Sequence, residues 1–510
     1  MNKEYWESEL KNCISSAERC ELASRSDCPE FLLEIMVLHD VEQTVIETGI
    51  NNPNCRPDVA KRGKIRLDEM INKSKSSTLC PIPWNHIAIQ QNGDFRICCQ
   101  NIHRPFGKLS KNNAVANIFN SEIEEARNCQ EIKDLRVSMM NNKRNSLCNL
   151  CYGEEDLGLN SKRLHMLKIY NVDDYNKNTS EDGTIDTKKF PLKYIDIRFG
   201  NLCNLKCRYC GPTDSSLWYE EYAEMAGTET ASMPFYGSKT YEIKKTNEKW
   251  SIDSSDFEWY ENEKFWDQIT KMIPYIDRYY FTGGEPTINK AHYRLLELII
   301  NMGFASNTVL EYNSNMFAIP EKLYDFWKEF KDVGIGCSID GIGDMANYLR
   351  PPSKWDVLEK NIDRLGFQPY KTIHGSIATT ISVYNILHFL DISRWLLNKR
   401  FPRFKQTPSY HMLEGPSHMC AQVLPFETKQ FIEQQYESFY KEIEVSHGHQ
   451  WAQLFRRNYG GIINYMYAKD SSHLLPKLKY TTNLLDNKRG HELNKTVNWL
   501  HNVLKEIPNE

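Results

Sequence analysis

From Pro191 onward, short apolar or β-branched runs alternate with longer runs whose apolar residues recur at helical spacing. Tyr194–Phe199, Arg278–Thr282, Thr308–Asn313, Gly334–Ile339, Thr372–Ala378 and Phe404–His411 read as strands. Lys290–Met302, Glu321–Lys331, Trp355–Leu365 and Ile386–Asn398 read as amphipathic helices between them. Six strand–helix units in succession predict an α/β fold, a parallel sheet curled into a partial (β/α)6 TIM-like barrel over 191–425. The stretch 211–276 is too long for an ordinary strand-to-helix connection and reads as an insertion, either a lid or a decorated loop.

The rest of the chain follows other patterns. Residues 1–79 are polar and read as helical, with Cys13, Cys20, Cys28 and Cys55 at no ligand spacing. Residues 80–165 are turn-rich and carry cysteines; 166–190 are polar and read as a linker. Residues 426–510 read as helices to the end.

Composition narrows the class. With 510 residues, 40% of them hydrophobic, the chain has ample material for a large core, which excludes wholesale disorder. No apolar stretch approaches the roughly 20 residues a bilayer span needs, and no apolar segment follows Met1, so no membrane helix or signal peptide is expected. A net charge of −4 gives no support to a generic nucleic-acid or membrane-surface role. Fifteen cysteines without an export signal point to a cytoplasmic protein that uses them for metal or redox work.

Cys203, Cys207 and Cys210 form C-x3-C-x2-C directly after the first strand of the barrel. Thiolates select soft metals, with iron–sulfur clusters and zinc the leading candidates. A complete cluster site uses four cysteines. Three can hold three irons of a cubane and leave the fourth iron open to a small molecule. A zinc site completed by a distant histidine is the alternative.

This triplet resembles the signature of the radical S-adenosylmethionine (SAM) enzymes, with Tyr209 at the aromatic position before the third cysteine. The resemblance continues on later strands. Gly283-Gly284-Glu285-Pro286 is similar to the family's GGEP motif, whose edge receives the methionine amino group of SAM. Tyr312 to Asn315 ends the third strand where the family has a TNG-like turn. Ser338 and Asp340 match an S-x-D-G motif placed near the ribose and methionine end of SAM. Arg350 resembles the arginine that pairs with the SAM carboxylate, and Asn385 the last residue of a V-x-N turn. The resemblance implies SAM and a [4Fe–4S] cluster with one open iron as cofactors.

Upstream, Cys80, Gly93, Cys98, Cys148 and Cys151 follow C-x12-G-x4-C and then C-x2-C. Asn92-Gly93 between alternating apolar positions predicts a β-hairpin that brings Cys80 and Cys98 together. Four thiolates suit zinc or a cubane. The pattern looks like the twitch domain, the shorter relative of the SPASM domain, and so implies one auxiliary [4Fe–4S] cluster. In the family this domain follows the barrel; here it precedes it. Cys99 is a substitute ligand for Cys98, and Cys129 falls outside the pattern.

The expected function is a radical SAM enzyme that abstracts hydrogen from a substrate, with a peptide or protein side chain preferred. The alternatives are a dehydrogenase of a small molecule and a non-catalytic iron–sulfur or zinc protein. A one-electron reductant of flavodoxin or ferredoxin type is implied as partner, with neither nucleic acid nor membrane. Cys337, on the fourth strand, is the single candidate for a second hydrogen donor.

Overall fold

The structure, a computed structural model, describes residues 5–6, 8–9, 21–39, 43–64, 78–101, 108–156, 161–227 and 230–508. Cys13 and Cys20 lie outside them. The chain divides into two units, residues 1–79 with 139–143, and residues 80–138 with 144–510. In the first, helices Glu30–His39 and Gln43–Asn51 pack around Trp6, Leu22, Leu32, Leu33 and Met36. Cys28 is buried in that core as a free thiol.

The second unit is built on one eight-stranded sheet. Its strands are β1 (His86–Ile89), β2 (Phe95–Arg96), β3 (Tyr194–Ile197), β4 (Arg278–Phe281), β5 (Val309–Ser314), β6 (Asp332–Ser338), β7 (Ile373–Ile381) and β8 (Ser409–Met412). The order across the sheet is β8-β7-β6-β5-β4-β3-β1-β2, and β3 to β8 pair parallel throughout. These are the six strands expected from the sequence. The sheet stays open: β8 and β2 are its two edges. The last strand is shorter than expected, with only a bridge from Phe404 to Gly375 before Ser409. Pro408, which has no N–H to give a ladder, separates the two.

The helices Lys290–Asn301, Glu321–Trp327, Trp355–Phe367 and His388–Lys399 connect β4 through β8. Side chains alternate along each strand. In β6, Val333, Ile335 and Cys337 are buried under the helices, while Gly334, Gly336 and Ser338 take the opposite, inner face.

The hairpin joins this sheet rather than standing beside it. Asn92-Gly93 makes the expected turn, Gly93 at φ +82°, and β1 pairs antiparallel with β2. β1 also pairs parallel with β3, His86 opposite Tyr194 and Ile89 opposite Ile197. The cysteine-bearing segment that precedes the barrel in sequence therefore extends its first strand.

The stretch read as a linker is packed, not slack. It opens with the end of the helix Lys162–Leu167 and holds the helix Tyr175–Asn178. Trp84 Nε1 donates to Thr179 (2.8 Å), and the buried Arg136 guanidinium donates to the Gly183 carbonyl (2.9 Å). Its polar composition supplies partners for buried groups of the hairpin segment, which reads as a linker when those partners are unknown. The 211–276 insertion folds into a three-stranded antiparallel sheet, Thr230–Phe235, Lys239–Thr246 and Lys249–Ile252, over a core of Tyr219, Met233, Phe235, Tyr241, Ile243 and Phe257. It docks on the hairpin: the Tyr241 hydroxyl accepts from Asn92 (3.0 Å), and Trp259 packs against Gly93.

Beyond residue 425 the chain is helical, with Phe426–His447, His449–Tyr467 and Leu475–Arg489 the long elements. Among the described residues no helix is long and apolar enough to cross a membrane.

Candidate active site

The strand directions fix two ends of the sheet. The loop carrying Cys203, Cys207 and Cys210 leaves the C-terminal end of β3. Cys80 precedes β1, which runs parallel to β3, and Cys98 follows the antiparallel β2. Both therefore lie at the opposite end, where β3 begins. The two cysteine groups bracket the barrel.

At the first group the backbone is laced to the segment after β6. Lys206 N–H donates to the Pro351 carbonyl (2.7 Å) and Arg208 N–H to the Leu349 carbonyl (2.8 Å). Cys207 and Cys210 hydrogen-bond to each other, and the Arg350 guanidinium lies 3.8 Å from Cys207 Sγ. That bond, with Arg350 nearby, draws the Cys207 thiol down toward thiolate. Burial pushes Cys203 up to about 12, with Cys207 adding to it. Asn315 holds the other side, its amide 3.9 Å from Cys203 Sγ and 2.7 Å from Asn204 Oδ1.

The GGEP turn lies against this loop. Gly283 and Gly284 have φ of +73° and +55°. A Cβ on Gly284 would collide with the Leu202 carbonyl, and one on Gly283 would come within 2.7 Å of Arg198 Cβ. Glu285 N–H donates to that same Leu202 carbonyl (2.8 Å).

Several of the residues expected at SAM are tied into hydrogen bonds within the protein. Glu285 is buried and accepts from Thr287 N–H (3.2 Å), Thr287 Oγ1 (2.7 Å), Ser314 Oγ (2.9 Å) and Asn315 N–H (2.7 Å). Burial raises its pKa while these donors lower it. Asp340 pairs with Arg350 and accepts from Thr380 N–H (2.7 Å). Asn385 uses its whole amide: Oδ1 accepts from Ser382 N–H and Oγ, and Nδ2 donates to the carbonyls of Asp340 and Thr380. All four bonds of the amide are made within the protein, and Asn385 ties the ends of β6 and β7. Ser338 ends β6 on the inner face.

Cys337 lies away from that inner face. It is fully buried on the helix face of β6, its thiol 3.9 Å from the Ile335 carbonyl, and desolvation raises its pKa. Because neighbours on a strand point opposite ways, Ser338 facing inward forces Cys337 outward.

At the second group Cys80, Cys98, Cys148 and Cys151 are close enough to raise one another's pKa, although burial is the larger cause for each. Burial takes Cys148 and Cys151 up to about 12. Cys99 is raised by burial, and it in turn adds to the shifts of Cys98 and Cys151. Among the described residues no three His, Cys, Asp or Glu side chains are gathered tightly enough to hold one metal ion as they stand. The donor sets still fit clusters: seven thiols in a group of three and a group of four, all without disulfides. The first group also keeps spare donors. The Tyr209 hydroxyl, Arg208 Nη1 and Arg489 Nη1 are buried with no hydrogen-bond partner, which suits a neighbour rich in acceptors such as sulfide or thiolate.

Between the two groups the inner wall is polar, which the sequence reading missed. Asp196 is fully buried on the inner face of β3, and neither carboxylate oxygen has a hydrogen-bond donor. Arg198 Nε lies 3.7 Å away, and Lys162 sits over the rings of Tyr194 and Tyr280 (5.1 and 5.5 Å). His86 on β1 is held neutral by burial, its pKa lowered to about 3, and its Nδ1 contacts the Ile97 carbonyl (3.1 Å). The signal was present in Tyr194-Ile195-Asp196-Ile197-Arg198: charges two apart share one face of a buried strand.

Asp196→Asn is expected to stabilise the protein. Burial raises the Asp196 pKa, chiefly by desolvation. A carboxyl with a raised folded pKa costs no stability below its unfolded pKa, and costs progressively more as pH rises from there through the folded value. The gain should therefore be absent below about pH 4 and on the order of 1 kcal/mol at neutral pH. Urea denaturation at several pH values measures it; a loss of stability at neutral pH would show Asp196 to be a needed counter-ion.

A parallel open barrel with a three-cysteine loop after its first strand and a glycine-rich edge against that loop is the core of the radical SAM class. Residues 197–366 match the model of the radical SAM superfamily, and residues 80–152 match the SPASM model, an iron–sulfur cluster-binding domain. The chain therefore carries a radical SAM domain with a SPASM domain ahead of it. Such cores bind SAM and a [4Fe–4S] cluster, and SPASM domains bind further iron–sulfur clusters. Among solved structures, native anSMEcpe with bound AdoMet and a Cp18Cys peptide is similar at 16% identity and TM-score 0.32, over 50% of this chain and 62% of that one. Streptococcus suis SuiB bound to S-adenosylmethionine is similar at 14% identity and TM-score 0.30, over 65% of this chain and 67% of that one. The chain thus spans less than two thirds of anSMEcpe. No curated protein matches it.

Proposed function

We propose that this chain is a radical SAM enzyme that binds SAM at the Cys203, Cys207 and Cys210 loop, carries one auxiliary [4Fe–4S] cluster on Cys80, Cys98, Cys148 and Cys151, and acts on a peptide or protein side chain. The observation that carries the reading is the seating of the Gly283–Glu285 edge on Leu202, one residue before the first cysteine. When bound, a reduced cluster and SAM together supply one-electron cleavage of the S–C5′ bond, giving methionine and a radical able to remove hydrogen from an unactivated carbon.

The chain's own residues do the rest. The glycines keep the edge free of side chains so that backbone groups can meet the methionine end of SAM. Glu285 and Asn385 lock the strand ends that frame it, and Arg350 and Tyr209 stand toward the cysteines. The inner wall from Arg198 down to Asp196, Tyr194 and His86 excludes water and meets the substrate. A peptide or protein substrate is supported by the added surface of the 211–276 sheet and the terminal helices. Oxidation of a small molecule is the second reading, favoured by the full enclosure of Asp196. Free thiols and clusters suit a cytoplasmic location, and a flavodoxin- or ferredoxin-like protein would deliver the electron.

Anaerobic reconstitution with iron and sulfide, then dithionite and SAM, tests the proposal. A brown protein that forms 5′-deoxyadenosine only when reduced is expected. Incubation with peptide pools and with small alcohols, reading deuterium from labelled substrate in 5′-deoxyadenosine, separates the two substrate readings. No 5′-deoxyadenosine from fully loaded, reduced protein would sink the enzyme assignment.

A further inference from the structure

The C-terminal helices enter the reading above only as added surface, yet one of them reaches the cysteine loop. Arg208, between Cys207 and Cys210, is 1% exposed. Its Nε donates to the Tyr348 carbonyl (2.9 Å), and its guanidinium lies over the Tyr348 ring at 3.6 Å. Its Nη2 donates to the carboxylate of Asp486, in the last turn of Leu475–Arg489, and contacts His491 Nδ1 at 3.1 Å. Asp486 also accepts from Leu493 N–H (2.8 Å) and the Tyr348 hydroxyl (3.4 Å). One carboxylate thus joins the cysteine loop, the helix Asp344–Leu349 and the C-terminal turn.

A second tie runs in parallel. Arg489 pairs with the buried Glu221 (2.8 Å) and lies 4.8 Å from the Trp218 ring. Trp218 Nε1 donates to the Cys207 carbonyl (3.1 Å). Both arginines keep one buried Nη1 without a partner. Ion pairs elsewhere on these helices, such as Arg394–Glu442, are exposed to solvent and contribute little. The buried charge is concentrated where the helix meets the loop.

We infer that the helix Leu475–Arg489 is a positioning element of the SAM site, in which Asp486 fixes Arg208 and with it the backbone between Cys207 and Cys210, so that the spacing of the two thiols is held. The inference rests on the proposed cluster at these cysteines. Hydrogen bonds to cluster sulfurs and solvent exposure are among the factors that set its reduction potential, so a shift of this loop has a consequence that simple packing lacks.

The test uses the full chain, reconstituted anaerobically, with Asp486→Asn, Asp486→Glu and Tyr348→Phe. The midpoint potential of the SAM-responsive cluster signal, KM for SAM, iron content and Tm are read together. Asp486→Asn should shift the potential more negative and raise KM about tenfold or more, since small misplacements at a reacting centre carry such costs. Asp486→Glu should recover most of both. Tyr348→Phe keeps the ring and removes one donor to Asp486; it should raise KM about threefold and carries the test if Asp486→Asn fails to fold. Glu442→Gln, on the exposed pair, should move neither quantity. An unchanged potential and KM in the folded Asp486 and Tyr348 variants, whatever their Tm, overturns the inference and leaves a structural tie. A wild-type protein with no SAM-responsive cluster overturns the proposed function, and this inference with it.

Discussion

Cys203→Ala should abolish reductive cleavage of SAM, while Cys148→Ala should leave cleavage in place and lower iron content. The asymmetry follows from ligand number. The first group has only three thiols, and its value lies in the corner they leave open; with two, the cubane loses its hold. Cys203 is also the ligand nearest the glycine edge, one residue after the carbonyl that Glu285 and Gly284 approach. The second group lies at the far end of β3, so its loss does not touch the SAM pocket. Each variant should lose about four irons per chain. The decisive measurement is 5′-deoxyadenosine per reduced protein. Cleavage by Cys203→Ala at the wild-type rate would place the SAM site elsewhere, and loss of cleavage in Cys148→Ala would mean that the far cluster feeds electrons to the near one.

Gly284→Ala should cost SAM affinity about a hundredfold, more than Gly283→Ala. Both glycines sit in the left-handed region, where an L-residue costs roughly 1–2 kcal/mol. Their surroundings differ. The methyl group that Gly284→Ala adds would meet a backbone carbonyl, which cannot step aside without moving Cys203. The methyl group that Gly283→Ala adds would meet Arg198 Cβ at 2.7 Å, a milder overlap than that at Gly284, and the Cγ and Cδ beyond it can rotate aside. A displacement of the cysteine loop by part of an ångström suffices for losses of this size. Calorimetric titration of reconstituted protein with SAM measures the ratio; equal effects at the two positions would mean that backbone strain, and not the clash with Leu202, governs the site.

Much of the barrel was legible because its signal is local. All six expected strands form, all but the last in near-full length, over short apolar, aromatic or β-branched runs of four to nine residues. The cysteine spacing and the glycine edge were legible for the same reason. What lay beyond reading was set by partners distant in sequence. That β1 pairs with β3 cannot be seen in either strand alone. That Asn385 spends its amide on the protein follows from Asp340 and Thr380, which arrive from other strands. Arg208 and Asp486 are 278 positions apart. Cys337 is different: strand parity alone, given Ser338, pointed it away from the lumen. The polar wall at Asp196 was likewise present in the alternation of its strand and was read only as a strand.

The pairing of β1 with β3 places the radical SAM and SPASM segments in one continuous sheet. A fragment beginning near residue 190 would bare one whole side of its leading strand, a row of N–H and C=O groups ready to recruit any passing chain. Chain order has thereby been traded against independence. The cysteine segment can come first in the polypeptide because it serves as the barrel's seventh stave, and a fragment lacking it is expected to be less stable and prone to associate through the bared strand.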